Sequence, residues 1–139
     1  MRHTGTCKCG HSSVLHDSSD DLSAVNPRIC DCDFCQQNPS AMISGPNAAC
    51  AINSDNGKFT QKTNGSEQAT FYHCYNCDQL LAVGAQIEGE SKGAINGLLL
   101  DHSAQLGEPV FIQPRLLSAK EKAARWSVVW GRLYVDHAC

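Results

Sequence analysis

Three thiols fall within six residues at Cys30, Cys32 and Cys35, in the spacing C-x-C-x-x-C. Zinc in a closed structural site takes four soft or borderline ligands, and this run supplies three. Either a distant side chain completes the sphere, or the fourth position stays open to water or substrate. An open position on a thiolate-bound zinc suits catalysis, because the ion can deprotonate an entering thiol or polarise a carbonyl. Two further groups flank the first: C-x-C at Cys7/Cys9 and C-x-x-C at Cys74/Cys77. Joined, these two make a closed four-thiolate set, which excludes substrate and contributes folding free energy. A competing partition gives Cys30/Cys32 or Cys32/Cys35 to Cys74/Cys77, and it leaves Cys7 and Cys9 unused.

The totals favour metal over disulfides. The chain has 139 residues, nine of them cysteine, and no apolar N-terminal run of the signal-peptide kind follows Met1-Arg2-His3-Thr4-Gly5. That reads as cytoplasmic, where clustered thiols are metal ligands more often than cystines. A formal net charge of −3 offers no basic footprint for nucleic acid. No apolar run approaches the roughly 18 residues of a membrane helix, so no membrane partner is expected. One domain over residues 1–139 is expected, large enough to fold without needing metal merely because it is short.

The elements that must position these thiols read as mainly β. Gly5 to Gly10 alternates as a strand that would place Cys7 and Cys9 on one face, with Gly10 permitting the turn. Ser12–His16 is a second strand, and Leu22–Asn26 can return as its hairpin partner across the polar turn 17–21. Ser40–Ser44 and Ala48–Asn53 form two strands around Gly45-Pro46-Asn47, and Asp55-Asn56-Gly57 reads as a hairpin turn between Ile52 and Phe59. Cys50, inside the second strand, reads as a small buried hydrophobe. Lys58–Thr63 and Glu67–Tyr72 pair across Asn64-Gly65, and the second strand delivers Cys74-Tyr75-Asn76-Cys77 as a zinc knuckle. Strand rather than helix follows it, which argues against a thioredoxin-type role. His73 reads as a surface or hydrogen-bonded histidine. Gly93–Leu100 is a further strand and Pro109–Ile112 is extended. Ser118 and Glu121 have the capping-box spacing of a helix running to about Trp130, ended by Gly131. Val128, Val129, Trp126 and Trp130 are expected to pack on the sheet, Arg132–Asp136 to form a last strand, and Cys139 to lie at a frayed end.

Gly5-Thr6-Cys7-Lys8-Cys9-Gly10, Cys30-Asp31-Cys32-Asp33-Phe34-Cys35, Cys74-Tyr75-Asn76-Cys77 and the stretch Ala94–Asp101 together resemble the glutathione-dependent formaldehyde-activating enzyme family, which includes centromere protein V. The likeness spans about residues 5–101, with 102–139 as a C-terminal extension. It implies a β-tent of antiparallel sheets and two zinc ions per chain. One would be structural, on Cys7, Cys9, Cys74 and Cys77, and the other catalytic, on Cys30, Cys32 and Cys35. Family members often carry His between the first two central cysteines, Arg after the last, and Gly after the knuckle; here these are Asp31, Gln36 and Asp78.

The leading expectation is a zinc-dependent carbon–sulfur lyase or synthase acting on a thiol adduct, with S-hydroxymethylglutathione as the example the resemblance supplies. Its proton acceptor is open among Asp31, Asp33 and His73. Two rivals belong to other classes: a zinc-binding scaffold with both sites structural, and a redox-responsive thiol cluster. Iron in the four-thiolate site is also compatible with the spacing.

Overall fold

The computed structural model describes residues 2–30, 38, 40–63, 68–112 and 117–135. The chain is mainly β, as expected. In order the strands are β1 (Arg2–Thr6), β2 (Ser12–Asp17), β3 (Arg28–Cys30), β4 (Met42–Ile43), β5 (Ala49–Ser54), β6 (Phe59–Thr63), β7 (Thr70–Cys74), β8 (Leu80–Ile87), β9 (Glu90–Asn96), β10 (Val110–Ile112) and β11 (Gly131–Val135). One α-helix stands among the described residues, α1 (Ala119–Val129).

All eleven strands join one branched, unclosed sheet whose ridge is β9. On one side β9 continues through β8 and β7 to β6. Its other edge divides: Lys92 and Gly93 pair with β11, while Ile95 and Asn96 pair with β4. The first branch runs through β5 and β2 to β1, and the second through β3 to β10. Most pairs are antiparallel, but β11 lies parallel to β5 and β10 parallel to β3. A parallel pair needs a long connection, which no local turn signature announces.

The branch point depends on two glycines that face each other, Gly84 and Gly93. A Cβ at Gly84 would meet Leu133 Cδ2 at 2.6 Å, and one at Gly93 would meet the Val83 carbonyl oxygen at 2.2 Å. Their bare backbones make the slot in which Leu133 of β11 sits, only 3% exposed. The C-terminal extension is therefore built into the sheet. Leu133 packs with Val14, Ile43, Ile52, Leu81 and Ile95 in the main core, where each such side chain contributes about 1.5–3 kcal/mol by leaving water. A second cluster on the opposite face joins Val83, Ala94 and Trp130 with Met42, Trp126 and Val129, so α1 covers that face. Burial of β8 on both faces explains its unbroken apolar run Leu80–Val83.

The capping box forms as predicted: the Glu121 amide donates to Ser118 Oγ at 3.1 Å and the Ser118 amide to Glu121 Oε1 at 3.0 Å. Several expectations change. Leu22–Ala24 is a 3₁₀ turn, and β2 takes β1 and β5 as neighbours instead. The turn after β5 forms, with the Gly57 amide donating to the Ser54 carbonyl, but β5 and β6 do not pair across it. Residues 97–99 leave the ridge strand as a 3₁₀ turn capped by the Asn96 side chain. Gly131 opens β11 rather than capping the helix, because a Cβ there would meet the Ala48 and Gly45 carbonyl oxygens at 2.1 and 2.4 Å. Trp126 and Trp130 stack at 4.6 Å and pack as expected, whereas Val128 points outward, 67% exposed. Asn64-Gly65 and Cys139 lie outside the described residues.

Candidate metal centre

Two turns carry the four outer thiols. Cys7 and Cys9 sit just beyond β1, in a turn closed by the Gly10 amide on the Cys7 carbonyl, with Gly10 at φ +80°. A turn, not the alternation expected of a strand, makes these two sulfurs converge. Cys74 ends β7, and Cys77 follows in the knuckle, where the Asn76 and Cys77 amides donate to Cys74 Sγ at 3.4 and 3.5 Å. Asp78 leaves this knuckle at φ +61°, the left-handed region that favours glycine. That geometry is the physical reason for glycine at the corresponding position of the resemblance; Asp tolerates it better than most residues. The Lys8 amide donates to Gln79 Oε1 at 2.7 Å and ties the two turns together.

The sulfurs of Cys7, Cys9, Cys74 and Cys77 all lie within 4.8 Å of one another. Cys7–Cys9 measures 3.4 Å, and Cys74 stands 3.6 Å from each. Sulfurs about 2.3 Å from a tetrahedral ion are about 3.8 Å apart, so the four fit a zinc-sized cation and are too far apart for a disulfide. Cys7 is 3% exposed and Cys74 fully buried, while Cys9 and Cys77 are partly exposed; four sulfurs would leave a tetrahedral ion no open position for substrate. Hydrogen bonding from the Asn76 side chain draws the Cys9 thiol down to about 6, while burial pushes Cys77 up to about 11. Around the set, Asp55 spans both turns: its Oδ2 lies 2.5 Å from His11 Nδ1, and its Oδ1 accepts from Tyr75 Oη at 2.6 Å. Neither link was visible in the sequence, since Asp55 lies far from both cysteine groups along the chain.

A scan against family models matches the glutathione-dependent formaldehyde-activating enzyme over residues 2–112. The chain belongs to that family. No curated protein matches it. A crystal structure of a Rhodobacter sphaeroides protein is similar in fold, at a TM-score of 0.54 and 18% identity over 78% of this chain and 99% of that one. The family match stops at Ile112, yet β11 lies beyond it and fills the centre of the sheet.

The other candidates are placed unequally. Cys30 ends β3 and is half-buried. Cys32 and Cys35 lie outside the described residues, as do Asp31, Asp33 and Gln36. Cys50 is fully buried, 3.6 Å from His16 Nδ1, and burial pushes its thiol up to about 12, in keeping with a core residue. His73 is fully buried and its Nδ1 lies 2.9 Å from the Asp78 carbonyl oxygen, so it buttresses the knuckle exit. This is the hydrogen-bonded alternative of the two expected. No helix among the described residues is long and apolar enough to cross a membrane.

His16, 1% exposed, went unnoticed, although Ser12, Val14 and His16 alternate on the inward face of β2. Burial holds its pKa below the ordinary histidine value; His3 opposite it acts in the same direction, while Asp17 and Asp20 oppose. The unfolded chain therefore binds a proton that the folded chain refuses, and stability falls as pH drops below about 6.5. The urea midpoint is expected to fall between pH 7.5 and 5.5, and to fall less in His16→Gln. Equal falls in the two proteins would remove His16 from the account.

Proposed function

We propose that this chain is a zinc-dependent carbon–sulfur lyase or synthase that makes or breaks an S-hydroxymethyl-type bond between formaldehyde and a thiol such as glutathione. The whole of residues 1–139 acts as one zinc-binding domain, with a structural ion on Cys7, Cys9, Cys74 and Cys77 and a catalytic one on Cys30, Cys32 and Cys35. The observation that carries this reading is the sorting of the thiols. Four sulfurs converge in a closed set without Cys30, which stands on another branch of the sheet at the end of β3. A tetrahedral ion filled by those four sulfurs has no coordination place for Cys30, Cys32 or Cys35.

Cys30, Cys32 and Cys35 would hold a zinc ion through three thiolates, and a zinc so held would supply an open position that lowers the pKa of an entering thiol. Cys30, Cys32 and Cys35 set the charge there: with one divalent ion they sum to −1, which favours thiol exchange over hydrolysis. In the synthetic direction the thiol sulfur bonds to the carbonyl carbon, and the proton it loses ends on the new hydroxyl. Asp31 and Asp33, which adjoin the ligands in sequence, are the candidate proton carriers. His73 is left out, because its Nδ1 is engaged at the knuckle.

The test is exchange NMR of formaldehyde with glutathione over the purified protein. Cys32→Ser is expected to reduce catalysed exchange to background while one metal equivalent and the thermal transition persist. An unfolded Cys32→Ser protein would make the central site structural and sink the enzymatic reading.

A further inference from the structure

The connection between β5 and β6 runs from one cysteine-bearing turn to the other. At its start Ser54 pairs with Ser12, the first residue of β2, and the Asp55 amide extends that ladder by donating to the His11 carbonyl at 3.0 Å. At its end Phe59 of β6 pairs with Cys74. The connection therefore crosses from the Cys7–Cys9 turn to the knuckle, and Asp55 stands at the crossing. Its carboxylate divides between the two sides. One oxygen lies 2.5 Å from His11 Nδ1, two residues beyond Cys9. The other accepts from the hydroxyl of Tyr75, between Cys74 and Cys77, at 2.6 Å. The His11 and Tyr75 rings meet at 5.9 Å.

The four thiols are not held alike. Cys7 and Cys74 are buried in the main core, whereas Cys9 and Cys77 lie at its partly exposed margin. The knuckle that carries Cys77 has supports of its own: its amides bond Cys74 Sγ, His73 lies against the Asp78 carbonyl, and Lys62 pairs with the Asp78 carboxylate. The tip of the turn that carries Cys9 is not backed by packing among the described residues, since a Cβ on Gly10 would meet nothing within 4 Å. An ion leaves a four-ligand site one ligand at a time, through the segment that opens most easily. Cys9 is that ligand, and His11, held by Asp55, is the far end of its turn.

We propose, on the reading of Cys7, Cys9, Cys74 and Cys77 as a zinc site, that Asp55 is a positioning residue of that site: by clasping His11 to Tyr75 it keeps the Cys9 turn closed and sets how readily the ion exchanges. Loss of an outer partner of this kind typically weakens metal binding by about 10–100-fold. An exposed carboxylate–imidazole pair adds little to global stability, so the effect is local to the turn. Metal retention then depends on a residue that belongs to neither cysteine motif.

The experiment alkylates the zinc-loaded full chain with N-ethylmaleimide and follows each cysteine separately by peptide mass spectrometry. Asp55→Ala is expected to raise the Cys9 rate about tenfold and to leave Cys50 unlabelled, because Cys50 is fully buried and reports opening of the whole fold. Tyr75→Phe is expected to give part of that rise and to add nothing in the Asp55→Ala background, since both substitutions break one clasp. A Cys9 rate unchanged in Asp55→Ala, or one that rises only together with Cys50, overturns the clasp while the zinc site stands. Additive effects of the two substitutions overturn it as well. Stripping the wild type of zinc separates the two readings. Faster Cys9 labelling in the stripped protein is expected; equal labelling would mean that the four thiols hold no zinc, and the clasp falls with the site.

Discussion

Replacing Cys74 with serine is expected to unfold the domain and release the metal of the four-thiol set. Cys74 is fully buried, packs in the main core, and is the sulfur on which the knuckle amides and both N-terminal thiols converge. Structural zinc sites contribute about 10–16 kcal/mol of binding free energy in small domains at neutral pH, and a whole domain is stable by about 5–15 kcal/mol. Loss of one ligand need forfeit only part of the first figure to exhaust the second. The check is metal content together with a thermal melt by circular dichroism, run beside wild-type protein stripped with a strong chelator. The variant and the stripped protein should behave alike. A Cys74→Ser protein that keeps its metal and melts at the wild-type temperature would show that the four sulfurs do not hold the fold.

Ending the chain at Ile112, where the family match stops, is expected to be as damaging. The cut removes Trp130 and Leu133, 7% and 3% exposed, whose truncation alone would cost roughly 3–5 and 2–5 kcal/mol. It also opens the edges of β5 and β9, which lose partners along Ala49–Ile52 and at Lys92 and Gly93. An apolar slot at Gly84 and Gly93 facing two unpaired strand edges invites aggregation. The 1–112 fragment is expected to be insoluble or unfolded by size-exclusion chromatography and circular dichroism. A monomeric, cooperatively melting fragment would mean that β11 is dispensable. A milder companion, Leu133→Ala, is expected to lower stability by about 2–5 kcal/mol without unfolding the chain.

Elements specified by near neighbours were legible in the sequence. The capping box of α1, the β6–β7 pair and the C-x-x-C knuckle each depend on residues a few positions apart, and each forms as read. For elements that depend on distant partners the sequence indicates the type and not the neighbours. Local pattern suggests Leu22–Asn26 as the hairpin partner of β2, which pairs instead with β1 and β5, because hydrophobic alternation marks a strand's faces and leaves its neighbours open. Gly131 shows the same limit from the other direction. Its position after a helix suggested a C-cap, but its role is close backbone approach to Gly45 and Ala48, which no local pattern encodes.

The sequence by itself determined the inventory: which thiols exist, that they fall into three groups, and that the chain is mainly β with one capped helix near its end. It favoured joining Cys7/Cys9 with Cys74/Cys77 and left open a partition that gives part of the central group to Cys74/Cys77; the structure brings the sulfurs of the first four together. Only the tertiary structure decided that β11 of the C-terminal extension lies in the middle of the sheet and that Asp55 clasps both cysteine-bearing turns. The reason is physical. Spacing along a chain fixes contacts across a turn, whereas contacts between residues some hundred positions apart are fixed by register and by where a side chain finds room, and both are settled when the core closes.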